Sequence, residues 1–374
     1  MPMNMNIFQK PFSCRASFIS WLLLLGFIAI EVFKAKWKVC LPDGDCESYL
    51  QMVYHWGYSA DILPHHAMRV LPSMIVYTVS QLGINEHMGF WLLSITSFIL
   101  FAVGTYTLLA EKDRVSLLPV SLTLLLLSAH WAMTYSLSHF YQATDALIYP
   151  FGLLMFYFLR QNNSSGILLI GLLGCLVRQN LFVFGFFGLM QIAYVSGKKS
   201  DVLKLIVLCL GYVGATKYYQ ASGALLAHLI PPADYISLSV LWSVWLESEL
   251  TWLLLPAIPV LLRNPEGVFN FFKRYPAVLM YGLIVTAQPF IAFDMTGQAN
   301  FVRIAMQGIW PLYLAGAYSL ISVAPNRKEQ CLWVLYSLLL ASTYSHSFRA
   351  MLVLFALLLL SVSAWRERNA IQSA

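Results

Sequence analysis

Charged residues are scarce in this chain of 374 residues: they make up 11% of it, whereas soluble globular proteins carry roughly 25%. This scarcity excludes an ordinary water-soluble surface. Hydrophobic residues account for 59% of the sequence, the mean hydropathy is +0.69, and no polar stretch between the apolar runs is long enough to form a soluble domain. We therefore predict one polytopic membrane domain.

The usual signatures of cofactor and nucleotide sites are missing as well. The chain has no HExxH, CxxC or GxSxG motif, no glycine-rich phosphate loop and no dinucleotide fingerprint. Its six cysteines show no metal-ligand spacing, and Cys40 and Cys46 fit either a small disulfide or two free thiols. The net charge of +6 is scattered among short loops, so we expect no nucleic-acid partner. We also expect no tightly bound cofactor and no protein metal site, with a divalent cation left open.

The apolar runs predict an all-α protein. A bilayer-spanning helix needs roughly 20 mostly apolar residues, and no small-residue cleavage site follows the first run, which we interpret as an anchoring helix. Tails at 1–16 and 366–374 flank a membrane domain at 17–365. Cutting the runs at charged or turn-forming residues predicts about twelve crossings, at 17–36, 88–110, 115–134, 146–160, 165–178, 181–196, 202–219, 240–262, 275–293, 304–323, 331–346 and 350–365.

The basic residues indicate the orientation, because they are enriched on the cytoplasmic side of membrane proteins. With both termini inside, the inner loops hold fifteen of the 23 lysines and arginines. We expect the membrane to be a bacterial plasma membrane. This orientation requires that residues 64–82 do not cross the membrane. A surface or re-entrant helix is the better prediction there, because Pro72 interrupts the run and Arg69 would be costly at mid-membrane. The first outer loop then spans 37–87.

That loop carries the candidate bases. Asp43 and Asp45 lie two residues apart in a turn that contains glycine, and either carboxylate could take a proton from a substrate. Tyr49 follows Asp45 by one helical turn and would face the same space if a short helix begins there. The competing interpretation is that one of the aspartates caps this helix.

Two histidines and an arginine follow in the same loop. On a continuous helix, His65, His66 and Arg69 would share a face, and such a cluster suits a phosphate because a guanidinium can bind two phosphate oxygens at once. The alternative is an amphipathic surface helix that contacts anionic lipid headgroups.

Further candidates interrupt later apolar runs. Asp145 opens the fourth predicted crossing, as a site residue, a helix N-cap or both. Arg178 and Gln179 lie at a predicted outer turn, where an anionic lipid-linked substrate would pair with the arginine. Arg303 has the same profile, with a salt bridge to Asp294 or Asp145 as its competing interpretation.

This order of features resembles the GT-C superfamily, the multi-pass glycosyltransferases that use polyprenyl-phosphate-linked sugars. The resemblance covers residues 17 to about 323 and consists of an acid in the first outer loop with a D-x-x-x-Y pattern, a helix bearing proline and arginine, an acid at the fourth crossing, a basic-plus-polar pair and a late arginine. In this chain those residues are Asp45, Tyr49, Arg69, Asp145, Arg178, Gln179, Arg303 and Pro311. The chain departs in having Gln179 where related chains often have an acid.

The resemblance implies an inverting transfer at the extracytoplasmic face, from a polyprenyl-phosphate sugar to a lipid-linked glycan or another envelope acceptor. Asp45 or Asp43 would serve as base, and the arginines would bind the phosphate. An O-antigen-polymerase-like enzyme is the nearest alternative, although its key arginines would be expected in large outer loops. A lipid or solute transporter is the non-enzymatic alternative, although no pair of matched, broken helices is visible.

Accessibility labelling tests the predicted topology. Asp45→Cys and Arg69→Cys, each made in a background without native cysteines, should react with a membrane-impermeant thiol reagent added to intact cells, because both positions lie in the first outer loop. Labelling of the two positions from opposite sides of the membrane would contradict this topology.

Overall fold

The computed structural model describes residues 14–35, 45–55, 68–113, 116–129, 136–138, 143–219, 255–291, 298–323, 325–341 and 346–372. These residues form α-helices and no strand, as the apolar runs predicted. In chain order the helices are α1 Cys14–Lys34, α2 Asp45–Tyr54, α3 Val70–Ser80, α4 Glu86–Ala110, α5 Leu118–Ala129, α6 Ala143–Ala146, α7 Ile148–Arg160, α8 Ser164–Cys175, α9 Asn180–Ser196, α10 Lys199–Tyr218, α11 Ala257–Arg263, α12 Pro265–Arg274, α13 Pro276–Ile291, α14 Gln298–Ser322, α15 Arg327–Ala341 and α16 His346–Gln372.

Helix lengths bear on the predicted crossings. Within the described ranges, α4 alone combines a length of at least 18 residues with a composition apolar enough to cross a membrane, and 56% of its apolar window is buried. Other apolar helices, including α5, α7, α8, α9 and α13, are shorter, with 10 to 17 residues. The all-α class is therefore confirmed for the described residues, and the number of crossings stays a prediction.

Asparagines begin several helices. The Asn85, Asn163 and Asn264 side chains accept hydrogen bonds from the backbone N–H groups of His87, Gly166 and Gly267 at 2.8, 2.9 and 3.0 Å, which satisfies donors that the first turn leaves free. Asn264 is followed by Pro265 at the first helical position, where a missing N–H costs nothing. This signal produces α12, a helix in a segment that we had interpreted as an inner loop.

The helices pack around one large buried core. Contacts join α13 to α14, α15 to α5 and α16, and α9 to α8, α10 and α13. The bulkiest side chains of the core include Trp310, Trp333, Tyr149, Tyr281 and Phe101, all under 2% exposed. Edge-on contact between Phe101 and Trp310, with ring centroids 5.7 Å apart, joins α4 to α14. This core holds in place the polar residues that lie at the helix ends.

Close helix approach depends on glycine at two contacts. A Cβ on Gly152 would lie 2.5 Å from Cζ2 of the buried Trp310 ring, and a Cβ on Gly308 would lie 2.5 Å from the backbone nitrogen of Thr286. Neither neighbour can move aside cheaply, because one is a large ring in a filled core and the other is main chain. These glycines therefore set how closely α7 and α13 approach α14.

Replacing Gly152 tests this packing. Gly152→Ala should lower the free energy of unfolding by about 1–3 kcal/mol, because the new methyl group forces Trp310 out of its position. The matched control is Gly26→Ala in α1, where no atom lies within 4 Å of the new Cβ, so stability should stay equal or rise slightly. Thermal or denaturant unfolding of the purified proteins measures both, and equal midpoints for Gly152→Ala and wild type would contradict the packing.

Candidate functional site

The first part of the candidate site joins α2 to the start of α3. Helix α2 begins at Asp45, which is the condition on which Tyr49 was expected to lie one turn later, and Tyr49 is 1% exposed. The Tyr49 hydroxyl accepts a hydrogen bond from Arg69 Nη1 at 3.0 Å, and the Tyr49 carbonyl accepts one from Ser73 Oγ at 3.3 Å. Tyr49 and Arg69, which are 20 positions apart in the sequence, are thus direct neighbours.

Arg69 is not itself helical. It is the N-cap residue of α3, with φ −87° and ψ 51°, whereas the face that we predicted for it required a helix that continues through this residue. Pro72 lies in the first turn of α3, where proline fits because the N–H that it lacks has no partner within the helix. With 11 residues, α3 is shorter than the roughly 20 residues that a crossing needs, and the prediction that 64–82 do not cross stays open. Asp43, His65 and His66 lie outside the described residues.

The second part of the site is a buried ion pair. Arg178, in the turn between α8 and α9, donates through Nη1 to Oδ1 of Asp145 in α6, and the two side chains are 6% and 7% exposed. Arg178 therefore pairs with an acid of the same chain, although we had expected a substrate to supply the partner. Asp145 is not the cap of the next helix either, because the N-cap of α7 is Leu147.

A backbone hydrogen bond connects the two parts. The Leu71 N–H donates to the Leu176 carbonyl at 3.0 Å, two residues after Arg69 and two residues before Arg178. Helix α3 also contacts α6, which carries Asp145. The structure therefore brings Tyr49, Arg69, Asp145 and Arg178 to one end of the helix assembly, and we call these four residues the charged cluster.

Neighbouring buried polar groups extend the charged cluster. Asn180 Nδ2 donates to Gln307 Oε1 at 2.9 Å, and Gln307 is completely buried. Its Nε2 has no hydrogen-bond partner among the described residues. Arg178 also interacts electrostatically with Tyr281, whose ring stacks on Phe184 at 4.9 Å. A polar side chain of α13 thus interacts with the ion pair, and an amide pair joins α9 to α14 two residues after Arg178.

Gln307 and Tyr281 were missed in the sequence. Gln307 could have been found as a lone amide inside an apolar helix, four positions after Arg303, whereas Tyr281 resembles any core aromatic residue.

Two predicted residues remain less defined. Gln179 is buried at the N-cap of α9 without a side-chain bond to that helix, and Arg303 belongs to α14 one turn before Gln307, with its side chain outside the described part.

A different set of polar contacts lies at the opposite helix ends. Ser164 and Ser196 donate to the two Asp201 oxygens at 2.6 and 2.7 Å, and Lys204 approaches to 3.3 Å. The two serine bonds, with help from Lys204, hold the pKa of the Asp201 carboxyl below its usual value. Every polar atom in this set has a partner within the set. We interpret these contacts as structural ties between α8, α9 and α10.

The chemistry of the charged cluster suits an oxygen-rich anion. Arg69, Arg178 and the Gln307 amide are hydrogen-bond donors, and donors held in a dry site stabilise negative charge strongly. No group of three metal-ligating side chains occurs in the described residues. No protein-family model, curated protein or solved structure matches the chain. The function must therefore be inferred from these contacts.

A double-mutant cycle tests the ion pair. Asp145→Leu and Arg178→Met should each lower the free energy of unfolding by about 3–5 kcal/mol, because each leaves one buried charge without its partner. The double variant should lose clearly less than the sum of the two. Denaturant unfolding of the purified proteins provides the three differences.

The control pair is Glu31 and Lys34 on α1, which lie 3.4 Å apart with Lys34 44% exposed. Glu31→Leu and Lys34→Met should each change stability by about 1 kcal/mol or less, because Lys34 lies in the last turn of α1, where its ammonium can reach water at the end of the helix. Additive losses at Asp145 and Arg178 would show that the two side chains do not depend on each other.

Proposed function

We propose that this chain is a polytopic membrane protein. Its outer surface supports this proposal, because three helices expose large apolar side chains to their surroundings. Phe33 of α1 is 93% exposed, Leu210 of α10 is 67% exposed and Leu358 of α16 is 59% exposed. Apolar surface on this scale is unfavourable in water and marks a membrane or protein contact. Lipid tails would cover it without further cost.

The separation of polar groups supports the orientation. The charged cluster lies at one set of helix ends, and the contacts of Arg160 and Asp201 lie at the other. Arg160 Nη2 donates to Glu111 at 2.7 Å and Nη1 donates to the Tyr318 hydroxyl at 3.1 Å. Most of the described lysines and arginines lie in or beside the loops at this second end, as expected for the cytoplasmic side. The charged cluster would then lie on the extracytoplasmic side of a plasma membrane.

The activity that we propose is inverting transfer of a sugar from a polyprenyl-phosphate donor to a lipid-linked glycan or another envelope acceptor. The observation that carries it is the link between the first loop and the Asp145–Arg178 pair, through the Arg69–Tyr49 contact and the Leu71–Leu176 hydrogen bond. A glycosyltransferase of this kind needs, within one site, a base for the acceptor hydroxyl and cations for the leaving phosphate. The arrangement also agrees with the resemblance to the GT-C superfamily.

In the proposed reaction Asp45 takes the proton of the acceptor hydroxyl. The acceptor oxygen forms a bond to the anomeric carbon while the bond from that carbon to the phosphate oxygen breaks, and the electron pair leaves with polyprenyl phosphate. This leaving group needs charge stabilisation rather than a proton. In this proposal Arg69 supplies it, with Arg178 or Arg303 as further cations, and attack opposite the leaving group inverts the anomeric centre.

The buried Gln307 amide has a role in this proposal. Its Nε2 lacks a partner among the described residues, and a buried donor without a hydrogen bond is unfavourable until something accepts from it. A sugar hydroxyl or phosphate oxygen bound beside Arg178 would accept this bond. No tightly bound cofactor is needed for the step, and a divalent cation remains compatible with it.

Loss of the proposed base is the direct test of the activity. Asp45→Asn should reduce the release of polyprenyl phosphate from a panel of polyprenyl-phosphate sugars by at least about 100-fold, because general base catalysis contributes roughly 10²–10⁴-fold. Purified wild type and variant are compared in the same assay, with unfolding midpoints measured in parallel.

Glu47→Gln is the matched control. It makes the same acid-to-amide change two positions later on α2, where Glu47 is exposed and accepts a hydrogen bond from Gln51 at 3.0 Å. We expect full activity from it. Undiminished activity in Asp45→Asn would remove Asp45 from the mechanism, and equal losses in both variants would assign the effect to α2 rather than to one carboxylate.

A further inference from the structure

A groove far from the charged cluster combines cations with apolar walls. It lies between the start of α15 and the end of α16 and is open on one side, with a volume of about 660 Å³. Cationic side chains line one end of it, and apolar side chains line its walls along the two helices. The residues used below are Arg327, Lys328 and Arg366 for the cations and Leu332, Leu359 and Val362 for the walls.

The cations of the groove remain available to a ligand. Arg327, Lys328 and Arg366 are all exposed, and none of them forms an ion pair with another described residue. One acid, Glu367, also lines the groove, but it is already engaged. It accepts a hydrogen bond from Asn326 Nδ2 at 2.7 Å and lies 3.5 Å from Arg263 Nη1. The groove therefore keeps an excess of positive charge.

Hydrogen bonds at the rim of the groove hold its two helices in position. Asn326 begins α15, and its side chain accepts from the Glu329 N–H at 3.0 Å. The Glu329 side chain is 1% exposed, and burial raises the pKa of its carboxyl. Asn326 also bonds Glu367 of α16, so one side chain connects the two helix ends. The groove is thus formed before any ligand arrives.

We propose that this groove binds an anionic phospholipid of the cytoplasmic leaflet, with the phosphate against the three cations and an acyl chain along Leu332, Leu359 and Val362. The inference goes beyond the transferase activity and rests only on the proposed membrane placement. Basic pockets between helices at the cytoplasmic surface are suited to anionic headgroups. The apolar walls favour a lipid over free phosphate, because a free anion would leave them in contact with water.

Native mass spectrometry of the purified protein, titrated with phosphatidylglycerol or phosphatidylcholine, tests the site. The wild type should retain phosphatidylglycerol in preference to phosphatidylcholine. The variant Arg327→Gln/Lys328→Gln/Arg366→Gln should lose at least about tenfold in apparent affinity for phosphatidylglycerol, because it removes three cations near the headgroup. Glycerol phosphate serves as the soluble competitor, and failure of millimolar concentrations to displace the lipid is expected.

The matched control removes the same charge elsewhere on the same side. Lys198, Lys199 and Lys273 are exposed and lie outside the groove, and Lys198→Gln/Lys199→Gln/Lys273→Gln should bind phosphatidylglycerol like the wild type. Equal losses in the two triple variants would overturn the proposal in favour of general charge attraction, as would unchanged binding by the groove variant. Displacement of the lipid by glycerol phosphate would overturn the proposal and indicate that the ligand of the groove is a free phosphate compound.

The transferase and the groove can fail separately. Asp45→Asn should bind phosphatidylglycerol as well as the wild type does, because α2 is remote from α15 and α16 in the contacts of the fold. Selective lipid binding in a protein without any transferase activity would support the groove and count against the proposed reaction alone.

Discussion

The pairing of Arg178 with Asp145 is the constraint on which the rest of the site depends. Two opposite charges inside an apolar core are tolerable only in contact, because the loss of either partner leaves the other without solvent or counter-charge. The pair joins the short helix before Ile148–Arg160 to the turn before Asn180–Ser196. Once these two segments are fixed, Asn180 can reach Gln307, and the first loop can dock through Leu71. One ionic contact thus connects the two segments that carry the polar groups at this end of the molecule.

Much of the helical fold could be predicted because helices are marked by local sequence features, namely apolar runs and the residues that begin or end them. Asn85 and Asn163 begin helices by side-chain capping, and Gly197 ends a helix with a left-handed backbone. Each of these signals is visible within a few residues of sequence. Helix α12 was missed because its apolar residues alternate with polar ones over a single short stretch after Asn264. Pro72 lies in the first turn of α3, where proline is tolerated, rather than within a longer helix that it would break.

The candidate site was only half predictable, for a physical reason. Tyr49, Arg69, Asp145 and Arg178 each stood out, because a polar residue beside an apolar run needs compensation. The nature of that compensation depends on tertiary contacts. Asp145 and Arg178 are 33 positions apart, and nothing local distinguishes an arginine that awaits a substrate from one that already has a carboxylate. Tyr281 gave no signal at all, because its position beside Arg178 depends on how α13 packs against its neighbours.

The contact between Leu71 and Leu176 joins the two parts of the site through main-chain atoms only. A main-chain hydrogen bond does not depend on which side chain either residue carries. Substitution of either leucine can therefore alter the local packing while the first loop keeps its position on the helix assembly. Proline at position 71 is the exception, since it has no N–H to offer. Side chains around this joint, and with them the ligand that the charged cluster accepts, can therefore change while the backbone frame that presents them stays the same.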